Sequence, residues 1–286
     1  MNSSFKNILI PVDLSINTEV AVEKGLELAD NGTTIHLLYV QNYTLSGLKA
    51  SVQKYLSHGN YLSENKIIEQ KLEQWKRKIE ECTNAIEVCS WIIIEDSIQY
   101  AIEKKAQQLG VDLIIIAKSS HHSWFPFLNT VISSKMVQKT GIPVLTVKPG
   151  AINNKIKTVI VPIADETTKN KIELITTICR KFKVKIHLVI FMNNENEESD
   201  FYASSLLQVY QWLKSSVHCP VEYAVLPGHN KAKAILQYAE KINADILLVY
   251  PVSETKIGWL NRHISDVLPP ESKVQVLTIQ PATTFN

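Results

Sequence analysis

Two stretches bring together side chains that could do chemistry. The first is the end of "NILIPVDLS", where Pro11 and Val12 lead into Asp13. A carboxylate at such a junction can accept hydrogen bonds from hydroxyl groups. It can equally cap a helix that starts there, with Ser15 and Asn17 competing for that role. The second is "LIIIAKSSHHSWFPFLNTVISSKMVQ", Leu113–Gln138. Ala117, Lys118 and Ser120 follow its apolar run, and Asn129, Thr130 and Val131 precede a helical pattern. Lys118 sits where it could neutralise a phosphate, although a lone lysine at a strand end ordinarily faces solvent. His121 and His122 could ligate a metal or touch a phosphate. Adjacent side chains diverge, so a chelate would need further ligands such as His58 or Asp13; surface-loop histidines are the plainer reading. Trp124, Phe125 and Phe127 flank Pro126 and either pack or line an apolar pocket.

Elsewhere the sequence offers little for catalysis. It contains no GxGxxG, Walker A, GxSxG or HExxH pattern. Glu95 and Asp96 precede a helix and suit capping and its dipole. Without a convergent nucleophile, base and oxyanion donor, no enzyme is expected. Cys82, Cys89, Cys179 and Cys219 form no CxxC pair and read as small thiol residues of core or surface. The net charge of +2 gives no bulk case for nucleic acid or an anionic membrane. No apolar run approaches the roughly 20 residues of a membrane span. The first residues reach Pro11 and Asp13 too soon for a signal segment, so a cytoplasmic location is expected.

The elements that must position these residues occur twice. "NILIPVD" at Asn7–Asp13 returns as "TVIVPIA" at Thr158–Ala164, and "TIHLLYV" at Thr34–Val40 as "KIHLVIF" at Lys185–Phe191. "VDLIIIAK" at Val111–Lys118 returns as "ADILLVYP" at Ala244–Pro251, and "IPVLTVKP" at Ile142–Pro149 as "VQVLTIQP" at Val274–Pro281. Four matches in one order indicate an internal duplication. Each block is a short β-branched run suited to a parallel sheet covered on both faces. In the first half, strands are expected near Asn7–Pro11, Thr34–Val40, Glu87–Ile94, Leu113–Ala117 and Val144–Val147. Helical patterns lie at Glu19–Ala29, about Leu62–Thr83, Ser97–Leu109 and Lys231–Ile242. In the last of these, Ala234, Ile235 and Ala239 match Ala101, Ile102 and Ala106, at the offset that relates Asp112 to Asp245. "KPGAINNK", Lys148–Lys155, reads as a linker, and "NNENEESD", Asn193–Asp200, as a polar, acidic loop. The expectation is an α/β chain of two tandem doubly wound parallel-sheet domains, five strands each, over 1–150 and 151–286.

"NILIPVDLS", "IHLLYV", "VDLIIIAK" and "IPVLTVKP", in that order and twice over, resemble the universal stress protein family in its tandem form. The resemblance implies a Rossmann-like fold whose members pair through the last strand, hence an internal pseudo-dimer that could itself dimerise further. It also implies an ATP site in those members that carry a glycine-rich phosphate loop after the fourth strand. There, backbone N–H groups approach phosphate oxygens beside a helix N-terminus. Laid on this chain, the loop's glycines fall at Ala117, at Ser120, and at Asn129 or Thr130; with a one-residue gap, Thr130 matches the family's Ser/Thr, followed by Val131. Thr130 could also cap the next helix. Every glycine of that loop is replaced. The adenosine end is better kept: Asp13 stands where the family carboxylate meets ribose, and Val40 where a backbone meets adenine. In the second half, Ala164 replaces the carboxylate beside Asp165, and Gly258 lies out of register, so that site is expected not to function. The resemblance points to a non-enzymatic stress-response binding or regulatory protein with a degenerate nucleotide cleft in the first half, and ATP as its candidate ligand. The alternatives are a carrier of a lipid-like or nucleotide-sugar molecule, motivated by Trp124, Phe125 and Phe127, and a weak hydrolase of nucleoside phosphates.

Overall fold

The computed structural model describes residues 5–13, 15–41, 60–83, 85–118, 131–163, 169–192, 198–227, 230–251, 256–257 and 262–281. The chain packs as two compact units, one of Ser4–Val131 and one of Ile132–Asn286 with the first three residues.

In the unit Ser4–Val131 the elements run β1 (Asn7–Val12), α1 (Ile16–Leu28), β2 (Thr34–Gln41), α2 (Asn60–Cys82), β3 (Glu87–Ile94), α3 (Ile98–Gln108) and β4 (Leu113–Ala117). The strands lie in the order β3-β2-β1-β4, every pair parallel. The chain thus winds outward from β1 to β3 and then returns across β1 to lay down β4. That reversal is a topological switch point, the place where open sheets of this kind bind ligands, here at the carboxyl ends of β1 and β4. β4 is buried along its whole length, as its unbroken apolar run requires. β3 alternates exposed and covered residues, because it is the last strand of this order and its outer face is only partly covered. α1 starts at Ile16, three residues before the expected pattern, since Ser15 accepts the Asn17 N–H and caps it. α3 buries Ala101, Ile102 and Ala106, the residues matched between the repeats, together with Ile98 and Glu103.

In the unit Ile132–Asn286 come α4 (Ser133–Thr140), β5 (Val144–Val147), β6 (Thr158–Pro162), α5 (Lys169–Lys181), β7 (Lys185–Met192), α6 (Glu198–Ser216), β8 (Val221–Pro227), α7 (Lys231–Ile242), β9 (Ile246–Val249), a short antiparallel hairpin of β10 (Lys256–Ile257) and β11 (Arg262–His263), α8 (Ile264–Val267) and β12 (Gln275–Thr278). The second repeat follows the same order, β8-β7-β6-β9-β12, all parallel. β5, the last strand of the first repeat, pairs antiparallel with β12, the last of the second. Compactness therefore divides the chain after Val131, whereas repetition in sequence divides it near residue 150. The expected linker holds a 3-10 turn at Pro149–Ala151. Gly150 donates its N–H to the Pro270 carbonyl, and a Cβ on Gly150 would collide with the Glu271 backbone. α6 begins at Glu198, so the last three residues of the expected acidic loop are helical. α7 buries Ala232, Ile235 and Ala239, with Ala234 only partly covered. β10 and β11 have no counterpart among the expected strands.

One device holds both repeats. The Asp112 carboxylate accepts the N–H groups of Lys6 and Asn7 at 2.9 Å each. The Asp245 carboxylate accepts those of Lys157 and Thr158, also at 2.9 Å. Each ties the start of its repeat's first strand to the start of its fourth, at the end of the sheet away from the crevice. Asp245 is the better served: Asn154 Nδ2 donates to it at 2.9 Å and Lys273 Nζ stands at 3.5 Å.

Candidate functional site

Asp13 follows the last residue of β1, where the sheet ends and α1 has not begun. Its Oδ1 accepts three hydrogen bonds: from the Ser15 N–H (3.0 Å), the Ser15 hydroxyl (2.6 Å) and the Thr18 hydroxyl (3.1 Å). The Asp13 N–H closes the ring by donating to Thr18 Oγ1 at 3.4 Å. The helix cap is Ser15, so Asp13 orients the cap instead of serving as one. Two hydroxyls and a backbone N–H hold one carboxylate oxygen. The other, Oδ2, has no hydrogen-bond partner among the described residues. A half-buried carboxylate fixed in this way keeps a second oxygen able to accept hydrogen bonds at the carboxyl end of β1.

Register brings the other described candidates alongside. Val12 pairs with Tyr39, so one step on Asp13 lies beside Val40 of β2. Leu9 pairs with Ile114, so the same register, continued, sets Asp13 beside Lys118. Pro11 and Val12 are buried in β1, Ala117 ends β4, and Val131 is buried. Lys118 does not face solvent as its strand-end position suggested; it is 2% exposed, because the fold covers the end of β4. Ser120, Asn129 and Thr130 lie outside the described residues, as do His58, His121, His122, Trp124, Phe125, Pro126 and Phe127. The cap position of α4 is Ile132, with no side-chain cap bond, so Thr130 lies two residues short of that position.

The second repeat fills the corresponding place with its own side chains. The third residue of α1 is Thr18, and the third residue of the equally long α5 is Lys171. Lys171 is fully buried; its Nζ donates to the carbonyl of Pro162, the last residue of β6, at 2.7 Å. The same ammonium lies 4.0 Å from the ring centroid of Tyr250. Tyr250 follows β9 at the position that Ala117 holds in β4, and it too is buried. Where the first repeat has a small residue and an oriented carboxylate, the second has an aromatic ring under an ammonium. Ala164, Asp165 and Gly258 lie outside the described residues.

A profile of the universal stress protein family matches residues 4–148. The chain belongs to the universal stress protein family. Its fold is similar to that of a universal stress protein from Archaeoglobus fulgidus DSM 4304, with a TM-score of 0.67 at 19% identity over 97% of each chain. It is also similar to a protein of unknown function from Pseudomonas aeruginosa PAO1, with a TM-score of 0.60 at 14% identity over 97% of this chain and 93% of that one. The cytoplasmic domain of a prokaryotic cation chloride cotransporter gives a TM-score of 0.53 at 12% identity over 96% of each chain. Likeness at such identities concerns the fold, and it takes in both repeats. No curated protein matches the chain.

Among the described residues of this universal stress protein, no group of three His, Cys, Asp or Glu side chains is placed to hold a metal ion. No described helix is long and apolar enough to cross a membrane. Sequence reasoning missed Thr18 and Lys171. Aligning the two repeats at their helix starts exposes the exchange, since α1 and α5 have equal length. The repeat blocks begin at strands, and a change in the β–α loop hides that correspondence.

Proposed function

We propose that this universal stress protein is a non-enzymatic binding or regulatory module with one ligand cleft, at the carboxyl ends of β1 and β4. The candidate ligand is a nucleotide such as ATP. The observation that supports this most is the Asp13 carboxylate: three donors hold Oδ1, and Oδ2 is left to accept the hydroxyls of a ribose. Val40 lies beside it for the base. Lys118, at the end of β4, carries charge at the side where phosphates would lie. Ala117, Ser120, Asn129, Thr130 and Val131 belong to this cleft by their match to the family's loop. The replaced glycines remove close backbone donors, and each charge-assisted hydrogen bond to phosphate that cannot form costs about 1.5–3 kcal/mol. Affinity weaker than micromolar is therefore expected. The second repeat takes no ligand, because Lys171 and Tyr250 occupy its crevice.

Calorimetric titration of the whole chain with ATP and Mg²⁺ tests this. Weak binding of one nucleotide per chain, abolished in Asp13→Ala, is the expected result. No heat up to millimolar ATP would refute the nucleotide reading. A stoichiometry of two would refute the closed second crevice. ATP turnover that disappears in Asp13→Ala would refute the non-enzymatic reading.

A further inference from the structure

Away from either crevice, two cysteines meet across forty residues of chain. Cys179 lies in the last turn of α5, and Cys219 in the turn between α6 and β8. The Cys219 thiol is directed at the Cys179 carbonyl at 3.8 Å. Burial, and after it the neighbouring Cys219 thiol, push the Cys179 thiol up. Both side chains are half-buried and neither is in a disulfide. The turn is held in place, since the Pro220 carbonyl accepts the Ile186 N–H at 2.8 Å. In the first repeat the equivalent positions, taken by helix start and by strand register, hold Leu26 and Ile86. Sulfur thus stands at both places where the other copy is aliphatic.

We propose that Cys179 and Cys219 are an oxidant-sensitive pair that a peroxide converts to a disulfide. The Cys219 thiolate attacks one peroxide oxygen. An S–O bond forms, the O–O bond breaks, and the released hydroxide takes a proton to become water. The Cys179 sulfur then attacks the resulting sulfenic acid. The S–S bond forms, the S–O bond breaks, and the Cys179 proton leaves with the hydroxyl as a second water. Two thiols and one peroxide give one disulfide and two waters. The order of attack follows from the surroundings: burial first, then the Cys219 thiol beside it, push the Cys179 thiol up, so Cys179 is the slower to react with peroxide and attacks second. The bond would staple the end of α5 to the entry of β8 and close the chain between them, which limits the unfolded state.

The test uses the reduced full-length chain treated with hydrogen peroxide, blocked with N-ethylmaleimide and digested with trypsin. The expected product is peptide Ile172–Arg180 joined to Ser215–Lys231, lighter by two hydrogens than their sum and separated by dithiothreitol. Cys219→Ser abolishes it, and oxidised wild-type protein unfolds at a higher temperature than reduced. Wild-type peptides that both carry maleimide, or a Cys219 driven to sulfinic acid without a link, would overturn the proposal. So would a link made instead to Cys82 or Cys89. The mapping is read on the unmodified sequence, so it does not depend on whether a variant folds.

Discussion

Asp13 and Ser15 divide between them two tasks that residue type alone assigns to either. Ser15 caps α1 through its hydroxyl oxygen, and the same hydroxyl donates its proton to Asp13. Ser15→Ala should therefore have two effects. Loss of the cap should lower stability by about 1 kcal/mol, read by urea unfolding. Loss of one of the three donors on Oδ1 should leave the carboxylate less fixed and weaken nucleotide binding more than that stability change explains. Asp13 is legible as a candidate from its place after an apolar strand. Its role is not, because capping and ligand binding call for the same residue types and differ only in where the donors point. The burial of Lys118 is hidden for a related reason: whether a lysine is covered depends on chain that is distant in sequence.

The strands are the elements that sequence reports best. Blocks such as "DLIIIA" and "DILLVY" are short, continuous and β-branched, and the structure buries β4 and β9 throughout. Less is legible at β3 and β8, whose partial exposure reflects position in the strand order, which no local pattern encodes. The hairpin β10–β11 has two residues per strand, too few for any periodicity to register. Asp112 and Asp245 show how the elements are tied together. Both carboxylates bind two backbone N–H groups, but Asp245 is buried, with Asn154 and Lys273 added, whereas Asp112 is exposed. Asp245→Ala should cost about 2 kcal/mol or more, and Asp112→Ala about 1 kcal/mol, because the first removes a buried carboxylate that also holds Asn154 and Lys273. Chemical denaturation of the two variants side by side gives the comparison; equal losses would show that burial does not govern this tie.

For the molecule as a whole, the duplication also repeats a buried imidazole. His36 is 6% exposed and His187 is 5% exposed. Trp91 Nε1–H donates to His36 Nδ1 at 3.4 Å, and the Tyr238 hydroxyl meets His187 Nδ1 at 3.0 Å. Burial lowers both below the ordinary value of 6.5; Glu87 and Glu222 raise them less, and Lys105 and Lys185 lower them further. The unfolded chain therefore takes up these protons first as pH falls through about 6.5, and the folded chain only lower. Between those limits the unfolded state binds more protons, so stability falls as the solution is acidified and is fully present above. The thermal midpoint should drop from pH 7.5 to 5.5, and His36→Gln with His187→Gln should flatten that slope. An unchanged slope would place the titrating groups elsewhere.

β5 and β12, each the final strand of its copy, hydrogen-bond within one chain. In a pair of separate molecules such a seam would form by collision and would be lost on dilution. Here the partners are tethered for life, so their association is unimolecular and its extent is set by chain geometry. Thermal unfolding of this seam should be the same at nanomolar and at millimolar protein.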